Sequence, residues 1–296
     1  MSFPAAPANR LTVLGVAVAL GVTVLSAPPA VAAAPPEGAY WHSRTVATST
    51  HPWRFGTKAH PYSLVQQEIT ERWSAPAGGA WFGYRELATL PGTAADKKAW
   101  RRDGSPSKWS ESIDGKTVKL SAHPAEGRVG PVPGESNRFW FAQQWLTYDE
   151  VQRLPADPDR LKDWLTKAGQ ASRESDLPGW LRYTLPELLY DVPAPKEVRT
   201  AAYRALLTLP GVRAGGAAKD GLGRSGAAVV IDSSTGRGKQ VTVFRERLTV
   251  DTDRMVLLSR DRKATVDGKA FPEMSTDETL IQVGWTDSPP AVPALP

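Results

Sequence analysis

The chain has 296 residues, a net charge of +5 and no cysteine, so disulfides and a cysteine-linked lipid anchor are excluded. Its lysines and arginines are scattered among acids, as in RERLTVDTDR and RDRKATVDGK, which is a solvated surface and not the basic stripe a nucleic acid needs. A weak attraction to anionic lipid head groups stays open.

The N-terminus carries Arg10 ahead of a charge-free apolar run, Leu11 to Ala27, the pattern of an export signal. The run is at the short end of the roughly 20 residues that span a bilayer, and Pro28-Pro29 and the small-x-small pattern Ala30-Val31-Ala32 follow it. Two readings stand: the leader, residues 1–34, contains a signal peptide cut before Ala33, or it holds the protein at the cytoplasmic membrane through a single span at 11–27. Both expect an extracytoplasmic domain over residues 36–286, secreted or anchored. About 250 residues suffice for one or two hydrophobic cores.

The first elements repeat with a period near two. Tyr40 to Ser49 alternates like a strand, and YSLVQQEITERWSA and AWFGYRELATL read as a hairpin around Pro76-Ala77-Gly78-Gly79. Trp109 to Leu120 reads as a second hairpin around Asp114-Gly115. The period then changes. Asp157 is placed to cap a helix with Pro158 at its first position, and Leu161, Trp164, Leu165 and Ala168 form its stripe up to Gly169. A second helix starts near Pro195, with Val198, Ala202, Ala205, Leu206 and Leu209 on one face, and Leu185 to Tyr190 is expected as a short helix between the two. AAVVID, a loop SSTGRG, KQVTVFRERLTV, RMVLLSRD and TLIQVGW return to strands. The residues after them, 287–296, end in SPPAVPALP and read as a disordered, proline-rich tail.

Strands, two or three helices, then strands again describe an α+β fold with an antiparallel sheet. So many strands tend to curl, and the expected architecture is a curved sheet wrapped around the helices, with two smaller α+β subdomains as the alternative.

Three stretches carry a resemblance: LTYDEVQRLPADPDRLKDWL, the helix end LLTLPGV, and DGLGRSGAAVVIDSSTGRGKQVTVF. Together they resemble a poorly characterised group of secreted or membrane-anchored proteins of high-GC Gram-positive bacteria, commonly encoded beside sigma-factor genes, over about Tyr40 to Trp285. A more distant similarity, to the half-barrel of periplasmic lipoprotein carriers and of sensors that regulate anti-sigma factors, implies an apolar cavity for an acyl chain.

Catalytic motifs are weak. Gly221-Leu222-Gly223-Arg224-Ser225-Gly226 fits G-x-G-x-x-G, but a helix precedes it and a strand follows, the reverse of a dinucleotide site. Ser225 lacks the surroundings of a nucleophile elbow. Of the four histidines, His51, His60 and His123 precede proline, which pushes them out of helical ligand pairs, and His42 lies in a strand. Asp157 and Asp159 serve a helix start, and Asp251-Thr252-Asp253 serves a turn. No catalytic residue, metal ligand or cofactor is therefore assigned.

Tryptophan stands out, with eleven residues, and the aromatic patch Arg138-Phe139-Trp140-Phe141 with Trp145 and Tyr148 is the densest. Large rings fill cores and also line ligand sites. The sequence thus points to a non-catalytic binding or sensing module for a lipid or acyl chain, or for an envelope protein partner, with Trp73, Trp81, Trp140 and Trp164 as the ligand-binding residues. The competing reading is an extracytoplasmic hydrolase assembled from distant residues such as His42 and Ser225.

Overall fold

A computed structural model describes residues 36–296 apart from 77, 114, 134–137 and 238–239. The expected leader, with Arg10 and the run at 11–27, lies outside the described residues. Among the described residues no helix is long and apolar enough to cross a membrane.

Strands β1 (Tyr40–Phe55), β2 (Tyr62–Ser74) and β3 (Ala80–Pro91) form an antiparallel meander. Next come α1 (Ala94–Arg102), the hairpin β4 (Lys108–Ile113) and β5 (Lys116–Ser121), β6 (Arg128–Pro131), and a second hairpin of β7 (Arg138–Phe141) and β8 (Gln144–Thr147). Four helices follow the short path from sheet to sheet: α2 (Tyr148–Gln152), α3 (Pro158–Ala171), α4 (Leu177–Glu187) and α5 (Lys196–Leu206). The chain returns to strands with β9 (Val212–Lys219), β10 (Ser225–Arg237), β11 (Gln240–Asp251), β12 (Val256–Val266), β13 (Lys269–Ala270) and β14 (Thr276–Thr286).

Ten of these strands make one large, curved, open antiparallel sheet in the order β6-β3-β2-β1-β14-β12-β11-β10-β9, with β13 attached to β12, while β4–β5 and β7–β8 are separate two-stranded sheets. The alternative of two subdomains is thereby replaced by a single sheet. Its two halves meet where the first and last long strands pair, Tyr40 opposite Thr286 and Trp41 opposite Trp285.

The helices cover one face. Leu161 and Leu165 of α3, Leu181 and Leu185 of α4, and Val198, Ala202 and Leu206 of α5 pack with Trp41, Val229, Ile231, Leu248, Val250, Leu280 and Val283 of the sheet. Each such fully buried Leu contributes about 1.5–3 kcal/mol. The ends are fixed as the sequence expects: Asp157 Oδ1 accepts from the amides of Asp159 and Arg160 at 3.1 and 2.9 Å, with Pro158 at the first helical position. A smaller cluster of Phe55, Tyr62, Leu64, Trp109 and Leu120 sits with Trp100 of α1 and the β4–β5 hairpin.

Several boundaries differ from expectation. The stretch SSTGR is ladder, not loop: Ser233 pairs with Phe244, Gly236 with Val241 and Arg237 with Gln240. Polar residues extend the strand here because their backbones are satisfied by β11. Helix α4 begins at Leu177, since Pro178 and Gly179 lie in the first turn, where Asp176 accepts from the Gly179 amide at 2.9 Å. The tail after Thr286 has no helix or strand, yet it is seated on the sheet: Pro293 is buried and the Ala294 carbonyl accepts from Arg44 at 2.5 Å.

Alternation along the strands assigns the two faces. Trp41, Ser43, Arg72 and Phe82 share the helix side, whereas His42, Arg44, Glu71, Trp73, Trp81 and Gly83 share the far side.

Candidate functional site

The β7–β8 hairpin is built by alternation. Phe139 and Phe141 point into the core, while Trp140 on the same strand is 48 % exposed and meets Trp145 edge-on at 5.1 Å. Ala142 and Gln143 close the hairpin with φ of 51° and 61°. Across from this hairpin stands the end of β2–β3, where the backbone at Gly79 takes φ +86°. A Cβ there would lie 2.7 Å from the Trp81 ring, so only glycine lets that ring fold over the turn.

Between the two hairpins is a cleft of about 1000 Å³. Trp81, Phe82, Val132, Trp140 and Trp145 are among its apolar lining, with Pro131 and Pro133 beside them, and Arg72, Arg138 and Asp191 supply its charged groups. Arg72 is held by Asp191, Nη1 to Oδ1 at 3.0 Å, and lies over the Phe82 ring at 5.9 Å. The carboxylate of Asp191 raises the Arg72 pKa further, so this guanidinium is a permanent cation.

Beyond Asp191 the helix-side face of the sheet turns ionic. Glu187 at the end of α4 is largely withdrawn from water, and burial, with the neighbouring charge of Asp191, pushes its carboxyl up to about 7 against the pull of Arg260 and Arg72. Burial also raises the Glu278 carboxyl on β14. Arg260 Nε lies 2.9 Å from Glu246 Oε1. The cleft itself is amphipathic, an aromatic wall with Arg72, Arg138 and Asp191 as its charged groups.

Of the four tryptophans singled out, the structure brings three to the cleft. Trp140 presents its ring. Trp81 closes the β2–β3 end. Trp73 borders the cleft from the far face of β2, where its ring is 3 % exposed and stacks on His42 at 4.7 Å. Trp164 is elsewhere: it lies parallel to Phe141 at 6.2 Å and, half-buried, packs against the core behind the hairpin. Helical spacing marked Trp164 as inward-facing but did not distinguish a core from a cleft wall. Phe82, Val132 and Asp191 were missed. Phe82 alternates with Trp81, so the strand pattern contained it, whereas Asp191 follows α4 with no local signal.

His42 and Ser225 are not brought together. His42 Nε2 is 2.8 Å from Glu71 Oε2 in the interior of the far face. Ser225 is exposed at the start of β10, and β14, β12 and β11 stand between β10 and β1, a separation of about 19 Å by strand spacing. The glycine-rich loop before β10 is folded by Asp220, whose Oδ1 accepts from the Leu222 and Arg224 amides at 3.0 and 2.8 Å. Asp251 does the same for Asp253 and Arg254, both at 2.9 Å. Among the described residues no group of three or more histidines and acids has the geometry to hold a metal ion.

A second hollow of about 810 Å³ at the start of α5 is more polar, with Glu37, Arg199, Asp253 and Arg254 around Trp41 and Trp285. Neither the known family models nor the curated proteins contain a match to this chain.

Proposed function

We propose that residues 36–286 form a non-catalytic, extracytoplasmic binding module that takes an apolar, lipid-like ligand in the cleft between β2–β3 and the β7–β8 hairpin. The observation that carries this reading is the cleft itself: about 1000 Å³, with Trp81, Phe82, Val132 and Trp140 in its wall and the Arg72–Asp191 pair at its border. Small-molecule sites are typically ~300–1,000 Å³, apolar, with a few placed polar groups. An acyl chain would lie along the rings and its anionic head group would meet Arg72.

Two further features support the reading. A curved antiparallel sheet with helices packed on one face is the architecture expected of the half-barrel carriers and anti-sigma regulators that the sequence resembles. Arg10 and the apolar run from Leu11 to Ala27 support export.

The test is a titration of the purified protein with a long-chain fatty acid, followed by tryptophan fluorescence. A saturating change in emission is expected, with Trp140→Ala weakening the affinity about ten-fold, the effect of losing roughly 1.4 kcal/mol of ring contact. Absence of any saturable response would remove the lipid reading.

A further inference from the structure

We propose that the far face of β1–β3 is a groove for proline-rich segments of a partner protein, and that residues 288–296 of this chain occupy it as an intramolecular stand-in. This site lies on the opposite side of the sheet from the helices and does not depend on the cleft reading.

The occupant has a defined period. In SPPAVPALP, Pro290, Pro293 and Pro296 recur every third residue, which is the repeat of a polyproline II helix and would put them on one ridge. Such a chain makes no hydrogen bonds to itself, so its carbonyls are free to accept from a surface. It also loses little conformational entropy when it docks.

The surface answers both properties. Pro293 is buried while Ala291, Val292, Ala294 and Leu295 around it are exposed, so a single ring is the anchor. Its seat exists because residue 83 has no side chain: a Cβ on Gly83 would stand 3.0 and 3.1 Å from Pro293 Cγ and Cδ and 3.1 Å from the Trp73 ring. Proline thus packs on bare β3 backbone against an indole. The next carbonyl, that of Ala294, accepts from Arg44 Nη2 at 2.5 Å.

That donor is aimed before any ligand arrives. Arg44 Nη1 donates to Glu71 Oε1 at 2.8 Å, the other carboxylate oxygen is 2.8 Å from His42 Nε2, and His42 stacks on Trp73. One buried carboxylate therefore fixes both the arginine that holds the peptide carbonyl and, through His42, the indole that walls the proline. A groove built of an aromatic wall, a side-chain-free floor and a pre-set donor is how proline-rich ligands are recognised. The tail supplies only one buried ring and one hydrogen bond, but tethering gives it a high effective concentration. A partner with more prolines in register would compete with it.

The experiment uses the full-length chain and a fluorescent synthetic peptide of sequence SPPAVPALP, read by anisotropy. A Pro290→Gly/Pro293→Gly variant, whose own tail no longer fits, is expected to bind the peptide at least ten-fold more tightly than the wild-type chain. Adding Gly83→Val or Arg44→Gln to that variant should abolish the gain, with far-UV and near-UV circular dichroism showing that each protein is folded. In the wild-type chain, an excess of peptide should move the NMR resonances of the Pro293 ring, seated over Gly83 beside the Trp73 indole, toward their free-chain values, a measurement that needs no substitution. Equal binding to the wild-type and released-tail chains, or unchanged Pro293 ring resonances at saturating peptide, would overturn the proposal. Concentration-dependent dimers of the wild-type chain that dissociate when peptide is added would overturn it in another way, by showing that the groove takes the tail of a second copy.

Discussion

On the helix side of β1, Trp41 joins a core of leucine, valine and alanine side chains and donates its indole N–H to the Tyr190 carbonyl at 2.9 Å, whereas its neighbour His42, facing the other way, is buried against Glu71 and Arg44. Both residues are about equally withdrawn from water, 4 % and 5 % exposed, by different means. The apolar side is stabilised contact by contact, so each residue can be lost at the cost of its own cavity. The ionic side must offset the desolvation of three polar groups, and does so only while all of them are present. One face of the same strands is therefore tolerant and graded, and the other is conditional.

The largest expected effect tests that difference directly. Glu71→Ala removes the carboxylate shared by His42 and Arg44 and should destabilise the fold by about 3–5 kcal/mol, because two polar side chains are left buried without their partner. Leu185→Ala, in the helix-side core, should cost about 2–5 kcal/mol as a cavity. Denaturant titrations of both variants measure the two costs, and a Glu71→Ala cost below about 1 kcal/mol would mean the far face is not held by its ion cluster.

A smaller effect is expected where the helix side itself turns ionic. The Glu187 carboxyl is raised from an ordinary value of 4.5 to about 7 by burial and by Asp191. Between those two values the folded protein holds a proton that the unfolded chain has released, so stability falls as pH rises through this window and the penalty is complete above pH 7. Glu187→Gln, which cannot ionise, should remove that slope and gain about 1–3 kcal/mol at pH 8, with little change at pH 4. Thermal unfolding across that range checks both the sign and the window.

What the sequence revealed follows from how local each signal is. The period-two runs from Tyr40 to Leu90 and the capped helix from Asp157 depend on neighbours in the chain, and they appear where expected. Helix α1 escaped because AADKKAWRR is charged and its signal is the Thr93–Asp96 capping box alone. The pairing of β1 with β14, and the arrival of Asp191 beside Arg72, are long-range events with no local mark. The tail shows a different limit. Composition shows that a proline-rich segment cannot form its own ladder or helix, but it does not show whether another surface will hold it, and Gly83, Trp73 and Arg44 lie more than 200 residues upstream.

The smallest effect concerns the β7–β8 hairpin, which gives Phe139 and Phe141 to the core and Trp140 and Trp145 to the cleft. Its two-residue turn, Ala142-Gln143, has positive φ at both positions, a conformation for which Asn-Gly is the favoured pair. Ala142 is buried and is best left alone, but Gln143 is exposed, so replacing it removes no packing. Gln143→Gly should therefore relieve backbone strain and stabilise the protein by about 0.5–1 kcal/mol, while Gln143→Val should destabilise it by a similar amount. Neither substitution touches a cleft-lining ring. If the hairpin is a rigid wall, fatty-acid affinity measured by tryptophan fluorescence will be the same in both variants while their unfolding midpoints move apart. If affinity follows stability instead, the wall opens and closes on the timescale of binding, and the cleft is shaped by the strain of two residues at its rim.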